Sequence, residues 1–460
     1  MIAYIILFSF GFLYFLFQFE FTKFYEANDS NNYLYIAQLL TQGKLLYKDI
    51  FLDNFPLAAY LSVFYKTITY GNMQWFKLTG SIEAFAAVVL LYYYFEKKTK
   101  NMYIGLLAAF TFFTSFVFLY TSTNQMGLYN AVLLFLIGYI MWDWKKYALS
   151  GVFVALAVLT KGYMAPLAFS LFLATVIEHR KDVVRFTLAG VITTFIVLLP
   201  TLLFAFPEFI QQTLGYGLVR QPTQDKWFIV RYLISYDFVM VVLVLSGVFL
   251  RKKAFPLWLM SIITPWLYLF YKDIYYMYFS MAALIAALNA GTFLIYFAKH
   301  KYANYIFIGF AGILFLSFIH TGIYIFTGFE NNKQIKDIDK LVAAVKKEKP
   351  DFIYSYASTS NGISYMTGIP AFKNHIDITS NQFQNGLLDR TKITEEVANS
   401  RTVLILYASK QQDQFIIDSK IVDTSILFKK GCKVTYMHPL DVKNAILNYF
   451  VVMKCYKNYR

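Results

Sequence analysis

Three carboxylates fall close together near the N-terminus: Asp29 in Asn28-Asp29-Ser30-Asn31-Asn32-Tyr33, Asp49 after Tyr47-Lys48, and Asp53 in Asp53-Asn54-Phe55-Pro56-Leu57. A carboxylate at a partly desolvated surface can act as a general base toward a hydroxyl. The same residue type has structural uses, because an Asp ahead of a helix caps free backbone N–H groups and turns favour Asp. Residue type alone leaves both roles open for Asp29 and favours the turn role for Asp49 and Asp53. Cations that can hold an anion stand in short polar connections: Lys161, Arg220, Lys226, Arg231 and Lys272. Each can instead solvate its loop or snorkel to headgroups.

Other chemistries are excluded by what the sequence lacks. The five His residues show no HxxxH spacing, so a His-based metal site is not expected; no cofactor is called for, though the carboxylates permit a divalent metal without requiring one. There is no P-loop, GxGxxG or nucleophile elbow, which removes ATP-driven transport. Cys432 and Cys455 have no spacing that demands a bridge, and two free thiols are expected.

The elements that must position these residues are membrane spans. With 58% hydrophobic and 15% charged residues in 460, the chain is too evenly apolar for a soluble core with a surface. Its 48 Phe and 38 Tyr recur at the ends of apolar runs, where amphipathic rings favour the membrane interface. Runs able to cross the hydrocarbon lie near 2–19, 78–95, 103–120, 125–142, 147–160, 163–177, 186–206, 232–250, 255–270, 275–297 and 303–327. The segment 55–70, with Pro56 at its start and Lys66 inside, reads as an interfacial helix instead. The apolar periodicity of 33–46 (Ile36, Leu39, Leu40) predicts a helix lying on the bilayer.

Every second connection is short and basic: Lys97, Lys98 and Lys100; Lys145 and Lys146; Arg180, Lys181 and Arg185; Arg251, Lys252 and Lys253; Lys299 and Lys301. The positive-inside rule puts these in the cytoplasm together with the N-terminus. The loop 20–77, the turns 121–124 and 160–163, the loop 207–231, the turn 271–274 and the C-terminal tail are then external. The +15 formal charge is thereby a topological signal and does not point to nucleic acid. Glu83, inside the second span, needs a cation or polar neighbours, and Asn124 and Gln125 can bind sugar hydroxyls or cap a helix.

The expected fold class is mainly α: a polytopic membrane domain over 1–329 with about eleven transmembrane helices, followed by a small external α/β domain over 330–460. In that tail, 352–356 and 402–407 read as strands and 393–398 and 442–452 as helices, with a charged amphipathic helix ahead of them around 333–349.

The first external loop resembles the opening of GT-C glycosyltransferases of the protein O-mannosyltransferase and aminoarabinose-transferase type, whose pattern is roughly D-E-x-x-Y, A, G, Y-x-D, P-P-L-x-Y. Here it runs Asp29-Ser30-Asn31-Asn32-Tyr33, Ala37, Gly43, Tyr47-Lys48-Asp49 and Phe55-Pro56-Leu57-Ala58-Ala59-Tyr60. Leu159-Thr160-Lys161-Gly162 is similar to the family's L-x-K-G-P turn, and Lys272-Asp273-Ile274-Tyr275-Tyr276 to its R-x-x-Y-Y motif. Ser30, Phe55 and Tyr163 depart from the pattern. The resemblance implies a glycosyltransferase on the outer face of the cytoplasmic membrane, inverting, with a polyprenyl-phosphate-sugar donor and a protein, lipid or glycan acceptor. Asp29 would be the general base, Lys161, Lys272 and Arg220 would meet the donor phosphate, and Tyr33, Asp49, Asp53, Tyr275 and Tyr276 are substrate-binding candidates. A flippase for lipid-linked glycan, and an O-antigen polymerase or ligase, are the alternatives. The first should keep paired charges at mid-membrane and the second should gather Arg and His in one external loop.

Overall fold

Caps written into the sequence punctuate the apolar runs. Asn72 accepts from the Trp75 N–H to open a helix over Met73–Thr99, which stops where Lys100 turns left-handed. Asn101 then accepts from Tyr103 and Ile104 to open the next helix, Met102–Phe113. The computed structural model describes residues 2–22, 28–216, 225–270, 274–331, 338–374, 376, 380–384, 386, 388–411, 414–418, 420–440 and 449–455.

The main helices are α1 (Ile2–Thr22), α2 (Asp29–Thr41), α3 (Leu57–Ile68), α4 (Met73–Thr99), α5 (Met102–Phe113), α6 (Phe116–Thr121), α7 (Leu128–Asp143), α8 (Tyr147–Thr160), α9 (Ala165–Glu178), α10 (Val183–Phe204), α11 (Lys226–Tyr236), α12 (Phe238–Ser246), α13 (Phe255–Phe270), α14 (Ser280–Phe297) and α15 (Ala303–Asn331). All eleven apolar runs are thus helical. Among the described residues, the helical stretches Ile2–Thr22, Met73–Thr99, Arg180–Phe204, Tyr276–Phe297 and Ala303–Ile325 are long and apolar enough to cross a membrane unaided. The α11–α12 pair adds a sixth if its 100° bend lies within one span, and the other five runs form shorter apolar helices or helix pairs. The chain is a multi-pass membrane protein.

Burial sorts these helices. α10 and α15 present apolar surface outward along most of their length, whereas α14 is buried nearly throughout behind a row of small residues, Ala282, Ala283, Ala286, Ala287, Ala290 and Gly291. Small side chains let helix backbones approach closely in a lipid solvent, and Phe95 fills the space beside Gly291. Two breaks brace each other. Between α11 and α12, the Asp237 carboxylate accepts from the Ser115 hydroxyl at 2.6 Å and the Val117 N–H at 3.3 Å, which satisfies the start of α6.

After α15, α16 (Ile338–Lys347) is the expected amphipathic helix and leads into an α/β unit. Its sheet runs β1 (Phe352–Tyr354), β2 (Thr402–Gln411), β5 (Tyr449–Cys455), β4 (Lys433–Pro439), with β3 (Gln414–Ile417) paired to β2. β1 and β2 are parallel, joined through α17 (Ala357–Thr367) and α18 (Arg390–Ala398); β5 lies antiparallel to both β2 and β4. Val403 to Leu406 are wholly buried because both sheet faces are covered.

Three expectations are corrected here. The helix expected over 442–452 is a strand from Tyr449 on, where β-branched and aromatic residues pair with both neighbours; 441–448 lie outside the described residues. Cys432 and Cys455 form a disulfide, because the β4–β5 pairing brings the residue before one strand beside the end of the other. α2 does not lie on the bilayer. Ser30 to Ala37 are buried, with α17 packed on one side of α2 and α3 and α4 on the others.

Candidate functional site

The start of α2 is fixed from several directions. Asn28 caps it by accepting from Ser30 N–H at 3.2 Å, so the capping role open to Asp29 belongs to its neighbour. Asn124 Oδ1 accepts from both the amide and the hydroxyl of Ser30, at 3.1 and 3.0 Å, tying this turn to the α6–α7 connection. That connection turns at Gly127, whose φ of +82° and contact with Ala58 leave no room for a Cβ. Asp29, first residue of the helix, is half-buried on a cavity wall. One turn on, Asn32 stands with Nδ2 3.5 Å from Asp29 Oδ1, while its carbonyl oxygen accepts from Asn361 of α17 at 2.8 Å.

The C-terminal unit docks on α2 with further bonds. Asn31 donates to Ser358 O at 3.2 Å, and the Tyr35 hydroxyl accepts from the Ala371 N–H at 2.9 Å. Burial pushes the Tyr35 hydroxyl up, against the opposing pull of that N–H, so it stays neutral. Tyr365 donates to Gly71 O at 2.6 Å beside α4.

The loop after α2 supplies the second wall. Tyr47, at φ +68°, donates its N–H to Ile50 O and its hydroxyl to Asn54 O, both at 2.8 Å; burial holds that hydroxyl well above the usual phenol range. Gln212 reaches over from the segment after α10, donating to Tyr47 O at 2.7 Å and accepting from Leu52 N–H at 2.9 Å. The loop so pinned presents Phe51, Leu52, Asp53 and Asn54 to the cavity, with Asn54 Nδ2 2.5 Å from Asp53 Oδ1.

Lys161 ends α8 in an extended conformation and is only 4% exposed. Its ammonium donates to the Tyr33 hydroxyl at 3.0 Å and lies 5.0 Å from the ring centre. Gly162 follows with the Phe55 ring 3.0 Å from where its Cβ would be. The last wall is aromatic: Tyr163 and Tyr278 rings are 4.7 Å apart, Tyr278 and Tyr275 5.8 Å.

The enclosed volume is about 250 Å³, small for a drug-sized pocket and suited to one small polar ligand. It brings together Asp29, Tyr33, Asp53, Lys161 and Tyr275 among the expected residues. Asp49 is elsewhere, exposed, its carboxylate capping the turn at Leu45 N–H (2.9 Å). Tyr276 packs on Tyr120 and Tyr232. Arg220 and Lys272 lie outside the described residues. Gln125 does not reach the cavity; with Asn130 it donates to the buried Glu83 carboxylate, at 3.1 and 2.7 Å, so polar neighbours hold that acid. Asn32, Asn54, Tyr163 and Tyr278 are wall residues that sequence reasoning missed; Asn32 was findable, one helical turn from Asp29. Among the described residues no three His, Cys, Asp or Glu converge on one point, while two carboxylates with a phosphate oxygen and water form a donor set that Mg²⁺ accepts.

A second cavity of about 430 Å³ opens alongside, lined by Leu233, Val241, Val244, Pro265, Ile274 and Phe279 with Lys226 and Trp227 at α11. It is almost entirely apolar. The two share a wall: Ile274 lines the apolar cavity and its neighbour, Tyr275, in extended conformation, lines the polar one.

No protein-family model and no curated protein sequence matches the chain. Solved structures do match. The chain superposes on crystal structures of ArnT from Cupriavidus metallidurans, one bound to undecaprenyl phosphate and one in the apo state, each with a TM-score of 0.59 at 10% identity. The likeness covers 97% and 98% of this chain, respectively, and 97% of each ArnT chain. The fold is that of ArnT over nearly the whole chain.

Proposed function

We propose that this chain, built on the ArnT fold, is a membrane glycosyltransferase that moves a sugar from a polyprenyl-phosphate donor to a hydroxyl acceptor. The observation that carries the reading is the shared wall at Ile274 and Tyr275. A lipid-phosphate sugar is apolar at one end and polar at the other, and an apolar cavity abutting a polar one accommodates both. ArnT was crystallised with such a lipid phosphate, undecaprenyl phosphate.

In the proposed reaction Asp29 takes the proton of the acceptor hydroxyl as its oxygen attacks the anomeric carbon. The bond from that carbon to the phosphate oxygen breaks, and its electron pair leaves with the lipid phosphate. One displacement inverts the anomeric centre. Lys161, oriented by Tyr33, meets the charge growing on the phosphate, the work of a preorganised donor in a partly dry site. By the motif resemblance, Lys272 and Arg220 would add to it. Asn32, Asp53 and Asn54 offer hydrogen bonds to sugar hydroxyls, and Tyr275 offers a ring. The five basic connections support a cytoplasmic N-terminus and a site on the outer face of the cytoplasmic membrane, under the C-terminal unit.

The test is transfer from a panel of polyprenyl-phosphate sugars in membranes holding wild type or Asp29→Asn. Wild type should use at least one donor, and the variant should be slower by roughly 10²–10⁴. Unchanged transfer by the variant removes Asp29 as base. No transfer by wild type from any donor moves the reading to a lipid-linked glycan transporter.

A further inference from the structure

At the opposite end of the bundle, three connections converge on another cavity of about 430 Å³. Lys98 comes from the end of α4, Lys145 from the α7–α8 turn, and Arg251, Lys252 and Lys253 from the connection between α12 and α13. α8 separates this cavity from the polar one just described: Tyr147 at its start lines the former and Lys161 beyond its end lines the latter. Its 14 residues set them about 20 Å apart.

The charge in this cavity is unbalanced. Lys98 is taken by Asp143 at 2.8 Å. Among the described residues no carboxylate lies within ion-pair distance of Lys145, Arg251, Lys252 or Lys253, and Glu178 is the other acid on the lining. Aromatic faces hold two of these cations without neutralising them: Lys253 Nζ sits 3.9 Å over the Tyr296 ring and the Arg251 guanidinium 5.3 Å over Trp258. One flank of the lining is apolar, with Phe255, Pro256 and Ile295. A topological signal needs only cations near the membrane surface. It does not require three connections to enclose a common space with aromatic supports and an apolar flank.

We propose that this cavity binds the phosphate headgroup of an anionic phospholipid, with the root of its acyl chains against Phe255, Pro256 and Ile295. Basic pockets between transmembrane helices hold such headgroups through charge-assisted hydrogen bonds, and each Lys or Arg near the surface adds to the attraction. The apolar flank is what separates a lipid from free phosphate as the ligand. The site stands independently of the transfer reaction.

Native mass spectrometry of the purified full chain, titrated with phosphatidylglycerol or phosphatidylcholine of the same acyl chains, tests it. One phosphatidylglycerol should bind far more tightly than phosphatidylcholine. Replacing Arg251, Lys252 and Lys253 together by Gln should weaken it on the order of a hundredfold, and replacing Lys299 and Lys301, exposed cations off this lining, by Gln should leave it unchanged. On wild type alone, raised salt should release the lipid. Equal affinity for the two lipids, or a triple variant that binds like wild type, overturns the site. Displacement of phosphatidylglycerol by millimolar inorganic phosphate overturns the lipid assignment in favour of the free anion.

Discussion

At one end of the bundle Lys161 is buried and bonded to Tyr33; at the other the Lys98 side chain is 38% exposed and paired with Asp143. The same residue type does different work in the two places. A buried ammonium costs several kcal/mol unless it is held by partners, so its position is defined by the fold around it. An exposed pair is screened by water and worth about 0–1 kcal/mol, so its position can vary at little cost. Preorganisation belongs to the Asp29 end, where α2, the 45–55 loop, the α8–α9 turn and the C-terminal unit all fix the same walls. The basic end depends on accumulated charge.

After Asp29→Asn, the largest expected effect is at Lys161. Lys161→Met should lower transfer per folded protein by about 10²–10³, the scale seen when a preorganised donor to developing charge is lost. An equal loss in Lys98→Met would erase the contrast between the two ends. Next is Glu83→Ala, which removes the acceptor for Gln125 and Asn130 in the buried region under the site and should destabilise by about 1–3 kcal/mol, read as a lower apparent Tm in detergent. An unchanged Tm would show that the network is not a support. Tyr35→Phe strips the acceptor from the buried Ala371 N–H and should cost about 1 kcal/mol, seen as faster hydrogen exchange on either side of the α2–α17 contact with the bundle core unaffected. Smallest of all, Lys98→Ala should change neither transfer nor Tm measurably, because that pair is exposed.

Much of the helical domain was legible in the sequence. Eleven apolar runs became eleven helices or helix pairs, since in lipid a run of that length must bond its own backbone. The caps Asn72 and Asn101 act within a few residues and are local as well. The site was legible only in part. Asp29, Tyr33, Asp53, Lys161 and Tyr275 share a cavity, but nothing near Asp49 or Tyr276 in sequence distinguishes them from those five. Asp49 is turned away by a local cap, and Tyr276 by a helical step that follows an extended residue. The helix expected over 442–452 failed from Tyr449 on because those residues pair with β2, which lies far back in the chain.

By itself, then, the sequence determined the number and place of the helices, the stretch in which the acids gather and the alternation of basic connections, because each depends on local pattern and solvent alone. Tertiary structure decided that α2 is covered by α17 when its own periodicity predicted lipid, that Cys432 meets Cys455, and that Ile274 and Tyr275 face two different cavities. Those outcomes rest on contacts between residues far apart in the chain, whose energy exists only once the backbone has brought them together.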